Sequence, residues 1–246
     1  MPSGSLYGIY FVLRRERKPE DYLGLMNAFW EEDKHKITIG DDRSPTPIEI
    51  QRPDDAMRYV MEASGWQITL YIRGAYGADY KFKTVLLSSD SKGPRNDMEV
   101  IAREYYSFFI KEDNPARYNE RKLVRIIKKA YESIHPYHVY LARGEFPSYY
   151  FGFPRNPWSG DYYEAQKYLL NQVNIFSPEI VERLGRERLL GIDAHILETL
   201  DDGGIFIVPC PLSDDSDDCM MSGKFHVPVD KETEEWYWKL YIPGTG

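Results

Sequence analysis

Trp66-Gln67-Ile68-Thr69-Leu70-Tyr71-Ile72-Arg73 leads through Gly74-Ala75-Tyr76-Gly77 into Tyr80-Lys81-Phe82-Lys83-Thr84-Val85-Leu86. Side chains of an extended chain alternate between its two faces. Trp66, Ile68, Leu70 and Ile72 therefore share one side of a strand, and Gln67, Thr69, Tyr71 and Arg73 the other. The glycine-bounded turn returns the chain, and Tyr80, Phe82, Thr84 and Leu86 continue the pattern. This is a β-hairpin, and its alternation reads as antiparallel sheet buried on one side.

Upstream, Leu6 to Leu13 also alternates, with Tyr7, Ile9, Phe11 and Leu13 on one face. Lys18-Pro19-Glu20-Asp21 opens a helix, since proline at the first turn costs no hydrogen bond and acids suit the positive helix end. Its stripe is Tyr22, Met26, Phe29 and Trp30. Residues 40–53, rich in Pro, Asp and Ser, read as loop, and a short helix is expected over 53–64.

Downstream, two amphipathic helices are expected. The first covers 97–112, with Met98, Ile101, Tyr105, Phe108 and Phe109 on one side. The second covers 119–134, with Leu123, Ile127, Ala130, Tyr131 and Ile134 on one side. His135-Pro136 stops it, and Tyr137, Val139 and Leu141 begin another strand. Residues 144–160 form a Gly-, Pro- and aromatic-rich connection at which a change of subdomain is expected within a single 1–246 domain. A helix is read over 161–173. Ser177-Pro178-Glu179 starts another that Gly185 stops. Asp201-Asp202-Gly203-Gly204 is a turn that launches the strand Ile205 to Val208. Val227 and Val229 end a short strand, and a last helix is expected over 230–241. The order predicts an α+β fold: an antiparallel sheet packed with helices, with a smaller C-terminal subdomain.

The net charge of −8 is concentrated. Between Glu198 and Glu235 eleven acids face only Lys224 and Lys231, while residues 1–197 balance. Such a field repels phosphate backbones and draws basic surfaces, which excludes direct nucleic-acid binding and points to a basic protein partner. The basic side of helix 119–134 (Arg121, Lys122, Arg125, Lys128 and Lys129) reads as a solvated face that pairs with the acidic segment. Asp214, Asp215, Asp217 and Asp218 offer three readings: a solvated loop, a partner-facing surface, or a divalent-cation site without the spacing of a calcium loop. Trp236 and Trp238, just after the acids, are either interface anchors or the packing of the last helix.

Two cysteines, Cys210 and Cys219, are too few for a secreted disulfide framework, so a reduced cytoplasm and a buried Cys210 thiol are expected. The basic cluster Arg14, Arg15, Arg17 and Lys18 follows the first apolar run, the reverse of a signal peptide's order. No apolar stretch reaches the roughly 20 residues that span a bilayer. Zinc from Cys210, Cys219, His195 and His226 lacks paired spacing. No nucleophile, phosphate-loop or zinc-protease motif occurs, and no cofactor motif. A metal-dependent hydrolase using C-terminal carboxylates is the alternative function.

The block Ser177-Pro178-Glu179-Ile180-Val181-Glu182-Arg183-Leu184-Gly185-Arg186-Glu187-Arg188-Leu189-Leu190, with Glu198-Thr199-Leu200-Asp201-Asp202-Gly203-Gly204-Ile205-Phe206-Ile207, resembles the ending of α+β immunity proteins from bacterial polymorphic-toxin and type VI secretion systems. The resemblance implies a cytoplasmic, non-catalytic protein that binds a cognate toxin and blocks its active site. With the charge map it marks Asp201, Asp202, Asp214, Asp215, Asp217, Asp218, Trp236 and Trp238 as binding residues.

Overall fold

A computed structural model describes residues 6–15, 18–32, 37–41, 48–55, 68–73, 79–84, 104–111, 120–144, 170–212, 227 and 229–238. Its strands are β1 (Leu6–Leu13), β2 (Ile37–Asp41), β3 (Ile48–Ile50), β4 (Ile68–Arg73), β5 (Asp79–Thr84), β6 (Glu104–Lys111), β7 (His138–Gly144), β8 (Val173–Phe176), β9 (Ile196–Thr199) and β10 (Ile205–Val208). The helices are α1 (Pro19–Glu32), α2 (Glu120–Ile134), α3 (Pro178–Leu184), α4 (Arg186–Leu190) and α5 (Lys231–Trp238). The strands form one sheet in the order β3-β2-β4-β5-β6-β1-β7-β8-β10-β9. Every recorded pairing is antiparallel. The α+β class follows directly.

The hairpin of β4 and β5 has the expected register, with Ile72 opposite Tyr80 and Leu70 opposite Phe82. Its turn residues lie outside the described ones. Two expectations nearby are corrected. Residues 104–111 are strand β6, not part of a helix, because they bridge β5 and β1 by hydrogen bonds on both sides. The aromatics Tyr105, Tyr106, Phe108 and Phe109 suit a pleated surface, and that pairing overrides their helical spacing. The loop expected over 40–53 contains the end of β2 and all of β3, held by Ile37 opposite Ile50 and Ile39 opposite Ile48. Residues 53–55 are helical, and the rest of the expected 53–64 helix lies outside the described residues.

At the C-terminal side of the sheet both faces are covered. On one face Ile9, Phe11 and Leu13 of β1 meet Leu25 and Met26 of α1 and Leu123, Ile127 and Ile134 of α2. Val139, Ile175, Phe206 and Val208 complete that core. On the other face Val12, Tyr140, Phe176, Ile205 and Ile207 meet Ile180, Val181 and Leu184 of α3, Leu189 of α4 and Trp236 of α5. Alternate residues of β10 thus enter opposite cores. This is why Ile205–Val208 is apolar throughout instead of alternating.

The helix ends obey local chemistry. Pro19 begins α1, and His135 ends α2 in the left-handed region (φ 45°), donating its N–H to the Tyr131 carbonyl at 2.8 Å. Ser177 holds the N-cap place of α3 but makes no side-chain capping bond. Val173, expected at the end of a helix, lies in β8; residues 161–169 lie outside the described ones. Val227 and Val229 are not in a strand. The connection expected over 144–160 also lies outside the described residues, apart from Gly144 at the end of β7, and β7 and β8 on its two sides pair directly.

At the start of α1, Asp21 is 5% exposed and receives both Arg15 guanidinium nitrogens at 2.6 Å and the Lys18 N–H at 2.8 Å. Arg15 also donates to the Ile134 carbonyl at 2.8 Å. One guanidinium therefore joins the first turn of α1 to the last turn of α2.

Candidate functional site

The described part of the acidic segment begins on β9, an outermost strand of the sheet. Its register with β10 puts Glu198 opposite Phe206 and Thr199 opposite Ile205. Glu198 therefore faces α2, where Lys128 forms an ion pair with it. The Lys128 ammonium also lies 5.8 Å from the centre of the Phe206 ring. Among the described residues this bridge joins the basic helix to the acidic segment, as expected.

The β9–β10 turn is fixed by Asp202. Its Oδ1 accepts the Gly204 N–H at 2.8 Å, and its Oδ2 accepts the Tyr131 hydroxyl at 2.6 Å. Burial first, and then this carboxylate, push the Tyr131 phenol up from its ordinary value. The ring therefore remains a hydrogen-bond donor at any physiological pH. Gly203 has φ +90°, and the Arg186 guanidinium caps its carbonyl. Asp201, beside them, is exposed at the tip.

Gly204 is closely surrounded. A Cβ there would lie 2.8 Å from the Phe176 carbonyl oxygen, 2.9 Å from the Tyr131 hydroxyl and 3.0 Å from Asp202 Oδ1. Gly204→Ala is expected to cost about 2 kcal/mol of stability in urea unfolding, as overpacking against backbone does. Tyr131→Phe removes only one of the three obstructing atoms, so adding it should not restore stability.

The remaining candidates are placed separately. Trp236 is 8% exposed and belongs to the second core, with the Arg183 guanidinium 4.4 Å above its ring. The Trp238 side chain and Asp214, Asp215, Asp217 and Asp218 lie outside the described residues. Asp230 caps α5, accepting the Thr233 N–H at 2.8 Å and the Thr233 hydroxyl at 2.9 Å. These bonds hold its carboxyl below the usual range.

His195, on the approach to β9, meets Glu120 at 2.9 Å. The other Glu120 oxygen accepts the Leu212 N–H at 2.6 Å. Glu120 thus clamps both ends of the β9–β10 hairpin to the start of α2, a role its position at a helix start did not announce. Among the described residues no group of three His, Cys, Asp or Glu is placed to hold a metal ion, and no helix is long and apolar enough to cross a membrane. His138 lies in a fully buried strand position and His135 at a helix end, so the two do not share a face.

Cys210 corrects another expectation. It is disulfide-bonded and 7% exposed, not a free thiol. The chain's other cysteine is Cys219.

No family model and no curated protein matches the chain. Among solved structures it is similar to the Pseudomonas aeruginosa T6SS protein PA0821. That similarity has 10% sequence identity and a TM-score of 0.49, and it covers 98% of this chain and 83% of that one.

Proposed function

We propose that the chain is a non-catalytic binding protein of the immunity type, whose acidic segment from Glu198 to Glu235 engages a basic protein partner. The observation that carries this reading is the pooling of charge: eleven acids oppose two lysines there, while the preceding 197 residues are balanced. The hairpin tip supports it. Asp201 is exposed on a turn that Asp202, Tyr131 and Gly204 hold in one conformation, and a preorganised carboxylate loses little entropy on binding. Asp214, Asp215, Asp217 and Asp218 extend the same field in sequence, and Trp238 is the aromatic proposed to anchor it. Trp236 supports the contact surface from the second core, and Asp202, exposed beside Asp201, fixes the turn. A toxin that acts on nucleic acid carries a basic cleft, and a concentrated acidic surface would both fill such a cleft and speed encounter.

Sequence expectation places this binding in the cytoplasm. The bonded state of Cys210 points instead to an oxidising compartment, because cytosolic glutathione keeps such pairs reduced.

The test starts with a protein captured from source cells at low salt, whose association rate is then measured. Changing Asp214, Asp215, Asp217 and Asp218 together to asparagine is expected to slow association roughly tenfold or more at low ionic strength, and much less at high. An on-rate indifferent both to those changes and to salt would remove the steering mechanism.

A further inference from the structure

We infer that the outer edge of β9 accepts a basic, extended segment of the partner as an additional strand. This deepens the proposed function and rests on it for the sign of the partner's charge. Among the described residues β9 pairs with β10 alone, so alternate N–H and C=O groups along Ile196–Thr199 point away from the sheet. Such an edge is a template for strand addition, in which backbone bonds give affinity and flanking side chains give selection.

Two features of this edge favour an occupant. Both cores run out to it half-finished: Ile196 and Leu200 are partly buried against the first, and Ile192, Ala194 and Leu197 against the second. One added strand would cover apolar surface on both faces at once. Leu190, shortly before this stretch, is 41% exposed.

The second feature is charge. Sheet edges are commonly guarded by lysine. Here there is no lysine or arginine from Leu189 to Gly223, whereas Asp193, Glu198, Asp201 and Asp202 lie on or beside the strand. Lys128 offsets Glu198, and Asp201 is exposed at the turn. An acidic strand would be repelled, and so would a second copy of the chain, which would set β9 and its acids against themselves. A strand carrying lysine or arginine is the complement.

The experiment is amide hydrogen exchange on the whole protein, alone and with a short end-capped peptide alternating lysine and valine, at low and high salt. A glutamate–valine peptide is the comparator. The lysine peptide is expected to slow exchange of the outward-facing amides of Ile196–Thr199 about tenfold or more at saturation. High salt should weaken this, and the glutamate peptide should have no effect. Salt-dependent binding of the lysine peptide without slowing at β9 overturns the edge inference and leaves the acidic-surface reading standing. Equal slowing by both peptides overturns the charge selection and weakens that reading with it. Slowing that appears with protein concentration alone identifies a second copy as the occupant and overturns the proposal, as does failure of the lysine peptide to bind.

Discussion

Between pH 7 and pH 5 the protein is expected to lose about 2 kcal/mol of stability through His138 alone. This histidine, in β7, is fully buried, stacked at 5.0 Å on Phe176 and at 5.5 Å on Tyr140. Burial lowers its pKa from 6.5 to about 3. The folded protein therefore keeps the ring neutral where the unfolded chain takes up a proton. The unfolded state binds more protons between those two values, so stability rises with pH across that window. It is complete above about pH 6.5 and is lost as pH falls towards 3, by up to about 1.4 kcal/mol per pH unit. Urea unfolding at several pH values, compared with His138→Phe, isolates the effect. The gap between the two proteins should shift by that amount between pH 7 and 5. Parallel pH curves would mean that the ring is charged, or reached by water, in the native state.

The second large effect is expected at the clasp between α1 and α2, and it is asymmetric. Arg15→Ala takes the bidentate guanidinium away from the Asp21 carboxylate, whose side chain is only 6% exposed, and also frees the Ile134 carbonyl. A loss of about 3 kcal/mol is expected, the scale of a buried pair broken on one side. Asp21→Ala strands a guanidinium that is already 35% exposed and can turn to water, so it should cost less, about 2 kcal/mol. The double substitution should cost less than the sum of the two. Strict additivity in that cycle would show that the two side chains do not act together.

Which parts of this fold are readable from sequence depends on what enforces them. The β4–β5 hairpin, β1, α1 and α2 are legible because each carries its own period and its own stop signal: a glycine-bounded turn, Pro19, His135-Pro136. Strand β6 is not. Tyr105, Phe108 and Phe109 fit a helical spacing, and only the partners β1 and β5, remote in sequence, decide for strand. Strand β9 is missed for a similar reason. Ile196-Leu197-Glu198-Thr199 is short and lacks alternation, and its extended state follows from pairing with β10. A turn signal at Asp201-Asp202-Gly203-Gly204 with apolar residues on both sides was the available clue.

The site was legible in charge but not in geometry. Counting acids locates the segment. It does not distinguish Glu198, which Lys128 occupies, and Asp202, which the turn occupies, from Asp201, which stands clear. Those distinctions depend on α2, some 70 residues earlier in the chain. Trp236 likewise reads as an anchor or as packing until Arg183 and the second core are seen around it.

One consequence follows from the two-sided burial of β10. A strand with a wet side and a dry side punishes a one-step slip, because the slip sends its oily residues into solvent. Ile205-Phe206-Ile207-Val208 has no wet side, so hydrophobicity alone would tolerate the wrong alignment. What sets the frame is the turn at its entrance: the Asp202 carboxylate that holds the Gly204 amide also meets the Tyr131 hydroxyl, which ties the turn to one place on α2. A phenol on a helix thus acts as the zero mark from which the strand is counted.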